Sequence, residues 1–118
     1  MNRFTQKAQN TLSRSLMLAR EFGHTYIGSE HLLTALLFEE SGGIQSSFSS
    51  RGVTAVGVQN SVKKIIGTGI PTVLTPSDFT PRTKNIIEKA LSLAASESSG
   101  YVGTEHLFKY LDGNAIFL

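Results

Sequence analysis

One motif occurs twice in this chain. Gly28-Ser29-Glu30-His31-Leu32 returns as Gly103-Thr104-Glu105-His106-Leu107, at a constant offset of 75 residues. The same offset pairs Phe4-Thr5 with Phe79-Thr80, Asn10 with Asn85, Leu16 with Leu91, Ala19 with Ala94, Tyr26 with Tyr101 and Leu36 with Leu111. No gap is needed between Phe4 and Leu36. A tandem repeat found this way sets the architecture ahead of any propensity argument. Any site in one half then has a counterpart in the other.

The repeated segments read as helices. Phe4, Ala8, Leu12, Leu16, Ala19 and Phe22 recur at spacings of three and four, which is one helix face. Thr5 is the expected N-cap, and Gly23 supplies a left-handed C-terminal residue. After a loop from His24 to Gly28, Ser29 is expected to cap a second helix carrying Leu32, Leu33, Leu36 and Leu37. Gly42-Gly43 breaks it. A short third helix is expected over 44–50, stopping near Gly52. A fourth starts after Thr54, turns Val58, Val62, Ile65 and Ile66 inward, and ends at Gly67.

Gly67 to Asp78 reads as a connector, punctuated by Gly67, Gly69, Pro71 and Pro76, with β-branched residues that favour extended backbone. Ile70, Val73 or Leu74 would pin it to the core. Phe79 restarts the pattern. Thr80-Pro81 is a strong helix start, because proline suits a position whose N–H has no partner. Thr83, Ile87, Ala90, Leu91, Ala94 and Ala95 form the expected buried face, and Thr104 the expected cap of the last clear helix. Beyond Leu111 the correspondence fails. The expected organisation is one domain over 1–118: repeat one 4–66, connector 67–78, and a shortened repeat two 79–118.

At 118 residues and 40% hydrophobic content, such a chain can bury a core. Its net charge is +2, and the basic residues are scattered among acidic ones, so no nucleic-acid stripe stands out. Cysteine is absent, which excludes disulfides and thiolate metal sites and fits a reducing cytoplasm. No apolar run approaches the ~20 residues of a membrane helix.

Glu30 and Glu105 fall in the first turn of a helix. Two readings stand open. A carboxylate there favours the positive helix end by ~0.3–1 kcal/mol. It can also take a guanidinium through two parallel hydrogen bonds, as a ligand site at the rim of each repeat. Thr5 and Thr80, at the other helix starts, can offer backbone N–H groups and a hydroxyl to an anion. A ligand carrying both charges suits that combination, and two copies would raise avidity.

His31 and His106 invite a metal or acid–base reading. Neighbours along a helix do not face each other, so Glu30-His31 is not a chelating pair, and no H-E-x-x-H pattern occurs. A histidine packed in the first turn and bonded to backbone is the favoured reading. His24 has Ser99 as its counterpart, which argues against a shared role. Tyr26 and Tyr101 read as loop residues packed over their own repeats. Gly67-Thr68-Gly69 is too short for a phosphate loop, and no G-x-S-x-G setting exists.

Arg3-Phe4-Thr5, Gly23-His24-Thr25-Tyr26-Ile27-Gly28-Ser29-Glu30-His31-Leu32-Leu33, Phe79-Thr80-Pro81-Arg82 and Tyr101-Val102-Gly103-Thr104-Glu105-His106-Leu107 together resemble the N-terminal domain of Clp-type AAA+ unfoldases, in particular the ClpC branch. The resemblance spans residues 1 to about 111. It implies an all-α fold of two pseudo-symmetric four-helix repeats, with no catalysis and no cofactor in this domain. It implies a docking platform in the cytoplasm for adaptors of the MecA type and for substrates bearing phosphorylated arginine. These would be passed to ATPase rings and the ClpP protease, with no nucleic-acid or membrane partner. Carried over, Glu30 and Glu105 hold the guanidinium, while Thr5 and Thr80 help hold the phosphate. Two other readings remain: a free-standing adaptor of the same fold, and a small metal- or acid/base-dependent enzyme using Glu30/His31 and Glu105/His106.

Overall fold

The computed structural model describes residues 3–39, 50–98 and 100–112. Among the described residues the fold is all helical, with α1 Gln6–Phe22, α2 Ser29–Glu39, α3 Ala55–Ile66, α4 Pro81–Ser96 and α5 Thr104–Asp112. A 3₁₀ turn, Pro76–Asp78, ends the connector. The expected helix over 44–50, apart from Ser50, which lies in a turn, the Gly42-Gly43 break, Ser99 and the segment after Asp112 lie outside the described residues.

α2 is the centre. It packs against α1 and α3 and also meets α4 and α5. Ser29 and every residue from His31 to Leu37 are buried. A helix apolar around its circumference has to be surrounded, and Leu32, Leu33, Leu36 and Leu37 leave the stretch from His31 to Leu37 no wet face. α1 covers one side with Ala8, Leu12, Leu18, Ala19 and Phe22. Two polar residues share that buried face, and each satisfies its hydroxyl locally. Thr11 Oγ1 donates to the Lys7 carbonyl at 2.9 Å and Ser15 Oγ to the Leu12 carbonyl at 2.6 Å. Leu16, expected inside, is half-buried at the edge of this stripe.

Two more inward faces differ from expectation. On α4 the buried set is Thr83, Ile86, Ala90 and Ala94, while Ile87 and Leu91 are half-buried and Ala95 is exposed. Adjacent apolar pairs Ile86-Ile87 and Ala94-Ala95 allow two stripes about 100° apart, and packing against α5 selects the first. On α3, Val58 and Val62 are buried, but Ile65 and Ile66 are exposed. That helix packs chiefly on α2. In the connector, Leu74 is the residue pinned to the core, and Ile70 and Val73 face solvent.

The halves are joined by exchanged backbone bonds. Thr5 N–H donates to the Val102 carbonyl at 2.9 Å, and Val102 N–H donates back to Arg3 at 2.6 Å. Thr80 N–H donates to Ile27 at 3.0 Å, and Ile27 N–H donates back to Asp78 at 2.9 Å. Under the 75-residue offset the second set is the first with the halves interchanged, as a pseudo-twofold axis requires. The start of each repeat is thereby fastened beside the Gly-Ser/Thr-Glu-His motif of the other.

Candidate functional site

The predicted caps Thr5, Thr54 and Thr80 each accept a first-turn amide, from Ala8, Gly57 and Thr83 respectively. Ser29 and Thr104 do not cap. Each is the first helical residue, and the preceding glycine holds the cap position. Gly28 accepts from the amides of His31 and Leu32, and Gly103 from those of His106 and Leu107. The amide of each glycine donates to the Nδ1 of the histidine three residues on, at 2.9 Å in both repeats. Histidine thus takes the place that glutamate or glutamine fills in a capping box.

The glycines serve a second purpose. A Cβ on Gly28 would collide with the Glu30 carboxylate, and one on Gly103 with the Glu105 carboxylate. Both glutamates therefore fold back over the glycine at the start of their own helix. At Gly103 the carboxylate shares a cleft with Thr5, the threonine cap of the opposite repeat.

The two sites are consequently composite. Thr5, Gln6 and Lys7 of the first repeat line a cleft of about 410 Å³ with Gly103, Thr104 and Glu105 of the second. At the counterpart position Thr80 N–H bonds the carbonyl of Ile27, the neighbour of Gly28, over which Glu30 folds. Thr5 is brought to Glu105, and Thr80 to the helix start that carries Glu30, so neither pair lies within one repeat. In the first cleft the amides of Gln6 and Lys7 lack intrahelical partners by position. The cleft places these donors and a lysine at one end and a carboxylate at the other. Lys7 and Arg82, both cationic at the shared offset, are the residues that sequence reasoning passed over.

Behind Glu30 lies a buried relay. Since His31 Nδ1 accepts from Gly28, its proton sits on Nε2, which donates to His24 Nδ1 at 2.7 Å. His24 Nε2–H then donates to the Gly67 carbonyl at 2.7 Å. Burial, and next the neighbouring His24, push the His31 pKa down from 6.5 to about 3. His24 thus has a structural role in the first repeat that the second does not share, as its lack of a counterpart implies. In the second repeat His106 Nε2 meets Glu97 Oε1 at 2.9 Å instead. Tyr26 packs on this relay, its ring stacked 5.9 Å from His24, and its hydroxyl donates to Glu30 Oε2 at 3.1 Å. Burial, then the Glu30 carboxylate, raise the phenol to about 12, so it remains a donor.

The Clp repeat (R) N-terminal domain family matches residues 3–111. The chain belongs to this family. It is 38% identical over 105 residues to the ATP-dependent Clp protease ATP-binding subunit ClpA homolog of Cyanidium caldarium, and 36% identical to the chloroplastic chaperone protein ClpC2 of Arabidopsis thaliana. Each match covers 89% of this chain but only 12% and 11% of those relatives. The N-terminal domain of the chaperone ClpD from Arabidopsis thaliana superposes with a TM-score of 0.76 at 25% identity, covering 97% of this chain and 80% of that one. The expected family and all-α Clp N-domain fold are borne out. No helix among the described residues is long and apolar enough to cross a membrane.

Proposed function

We propose that this Clp N-domain is a non-catalytic recognition module that receives proteins marked by phosphorylated arginine, and adaptors of the MecA type. It would deliver them to a ClpC-like unfoldase feeding ClpP. The observation that carries the reading is the pairing, across the repeats, of a threonine-capped helix start with a folded-back glutamate. A helix start with free amides and a cation suits a phosphate. A carboxylate suits the guanidinium at the other end of the same group. Thr5, Lys7 and Glu105 would hold one phosphoarginine, and Thr80, Arg82 and Glu30 the other. Arginine without phosphate would leave the donors unused, and phosphoserine would leave the glutamate facing an anion.

Support for the wider role comes from the relatives, named as Clp protease subunits and Clp chaperones. Action in the cytoplasm remains part of the proposal, although several relatives are named as chloroplastic. Calorimetric titration with phosphoarginine tests the reading. Saturable binding is expected, with arginine and phosphoserine inert at the same concentration. No heat in a folded sample, together with no binding to a MecA-type adaptor, would overturn it.

A further inference from the structure

The two clefts share a plan but not their surroundings. Glu105 is 73% exposed, whereas Glu30 is half-buried with one oxygen already accepting from Tyr26. At the anion end, Thr5 faces Ala8, which has no hydroxyl, so its O–H remains available to a ligand. Thr80 faces Thr83, and the two hydroxyls bond each other at 2.8 Å. The first helical residue is Gln6 in one cleft, with an amide to offer, and Pro81 in the other, with none.

Resting on the reading above, we infer that the Thr5/Glu105 cleft is the primary site. The Thr80/Glu30 cleft is held in a self-satisfied state by Tyr26 and Thr83, which set its lower affinity. The Tyr26 bond could instead be thought to orient Glu30 for the ligand. The second repeat argues against that. Glu105 takes the same folded-back position over Gly103, its Oε1 3.6 Å from His106 Nδ1, while most of its side chain lies in solvent, so the helix start itself places the carboxylate. What Tyr26 adds is a competing donor on Oε2. A guanidinium binding through two parallel bonds needs both oxygens, and must share or displace that hydroxyl. A phosphate at Thr80 must likewise share the Thr80 hydroxyl with Thr83 or displace it. Each exchange returns part of the binding free energy to an interaction the free protein already has.

The test is a phosphoarginine titration of ¹⁵N-labelled wild-type, Tyr26→Phe and Thr83→Ala protein. The Lys7 and Arg82 amides report the two clefts separately. In the wild type, Lys7 should saturate at about tenfold lower ligand concentration than Arg82. Both variants should move the Arg82 curve toward the Lys7 curve and leave the Lys7 curve in place. Equal curves in the wild type, or weaker binding at Arg82 in Tyr26→Phe, would overturn the inference while leaving phosphoarginine recognition intact. Motionless amides in all three proteins would overturn recognition itself, and the inference with it.

Discussion

The two repeats hold the same histidine by different means, and the difference separates what the fold needs from what each half has added. His31 and His106 both accept from the glycine that starts their helix, at the same 2.9 Å. On the far side of the ring, His31 Nε2–H donates a hydrogen bond to buried His24, while His106 meets Glu97, which is 53% exposed. The cap is therefore the shared requirement, and the outer partner is free to vary. The first repeat uses that freedom to tie the connector down: His24 holds the Gly67 carbonyl, and Gly69 N–H donates to Phe22 at 2.8 Å. Gly23 and Gly69 are so close there that a Cβ on Gly23 would strike the Gly69 backbone.

The core should treat the halves alike. Leu32 and Leu107 are equivalent, and both are fully buried. Replacing either with alanine should cost about 2–5 kcal/mol, read as a shifted urea midpoint. A large loss at Leu32 beside a negligible one at Leu107 would break the idea of one core shared by both halves.

Acid should divide them. His31 ionises near 6.5 in the unfolded chain and only near about 3 in the fold. Unfolding therefore takes up a proton between those values. Stability is complete above about pH 6.5 and falls by about 1.4 kcal/mol for each pH unit below it until about pH 3. His31→Gln keeps an acceptor at the capping position without a titrating ring, so its stability profile over that window should be flatter. An unchanged slope in this variant would show that His31 does not set the acid response.

Smaller effects concern the clefts. Thr5→Ala and Thr80→Ala should each cost about 1 kcal/mol through the lost cap, measured by thermal melting. Glu30→Ala and Glu105→Ala should each cost less than about 1 kcal/mol, since a first-turn carboxylate contributes only a modest dipole term. Of the pair, Glu30 should show the larger loss, because it alone is held by Tyr26. A Glu105 loss comparable to that of Leu107 would make the glutamate a folding residue.

Much of this was legible in the sequence. The offset carried the repeated helical frame, the motifs around Glu30 and Glu105 carried the resemblance to the family, and threonine caps at 5, 54 and 80 followed from hydroxyl chemistry. What escaped notice depended on contacts between distant segments. Nothing local says that Ile86 is buried and Ile87 half-buried, because both lie on plausible stripes. Nothing local says that Gly28, not Ser29, is the cap, since serine is ordinarily the better capping residue. The histidine at the third helical position was the missing signal. Because the motif repeats, the sequence implies one site per repeat. The bridges from Phe4 to Val102 and from Ile27 to Phe79 cross them over.

That crossing is the central claim, and ligand binding to paired variants tests it directly. Thr5→Ala and Glu105→Ala, from opposite repeats, should weaken phosphoarginine binding at the same cleft, read at the Lys7 amide, and together cost less than the sum of the two. Thr5→Ala and Glu30→Ala should act at different clefts and add. Contradiction would be the reverse pattern, with Thr5 coupled to Glu30 and independent of Glu105, which would place each site within a single repeat.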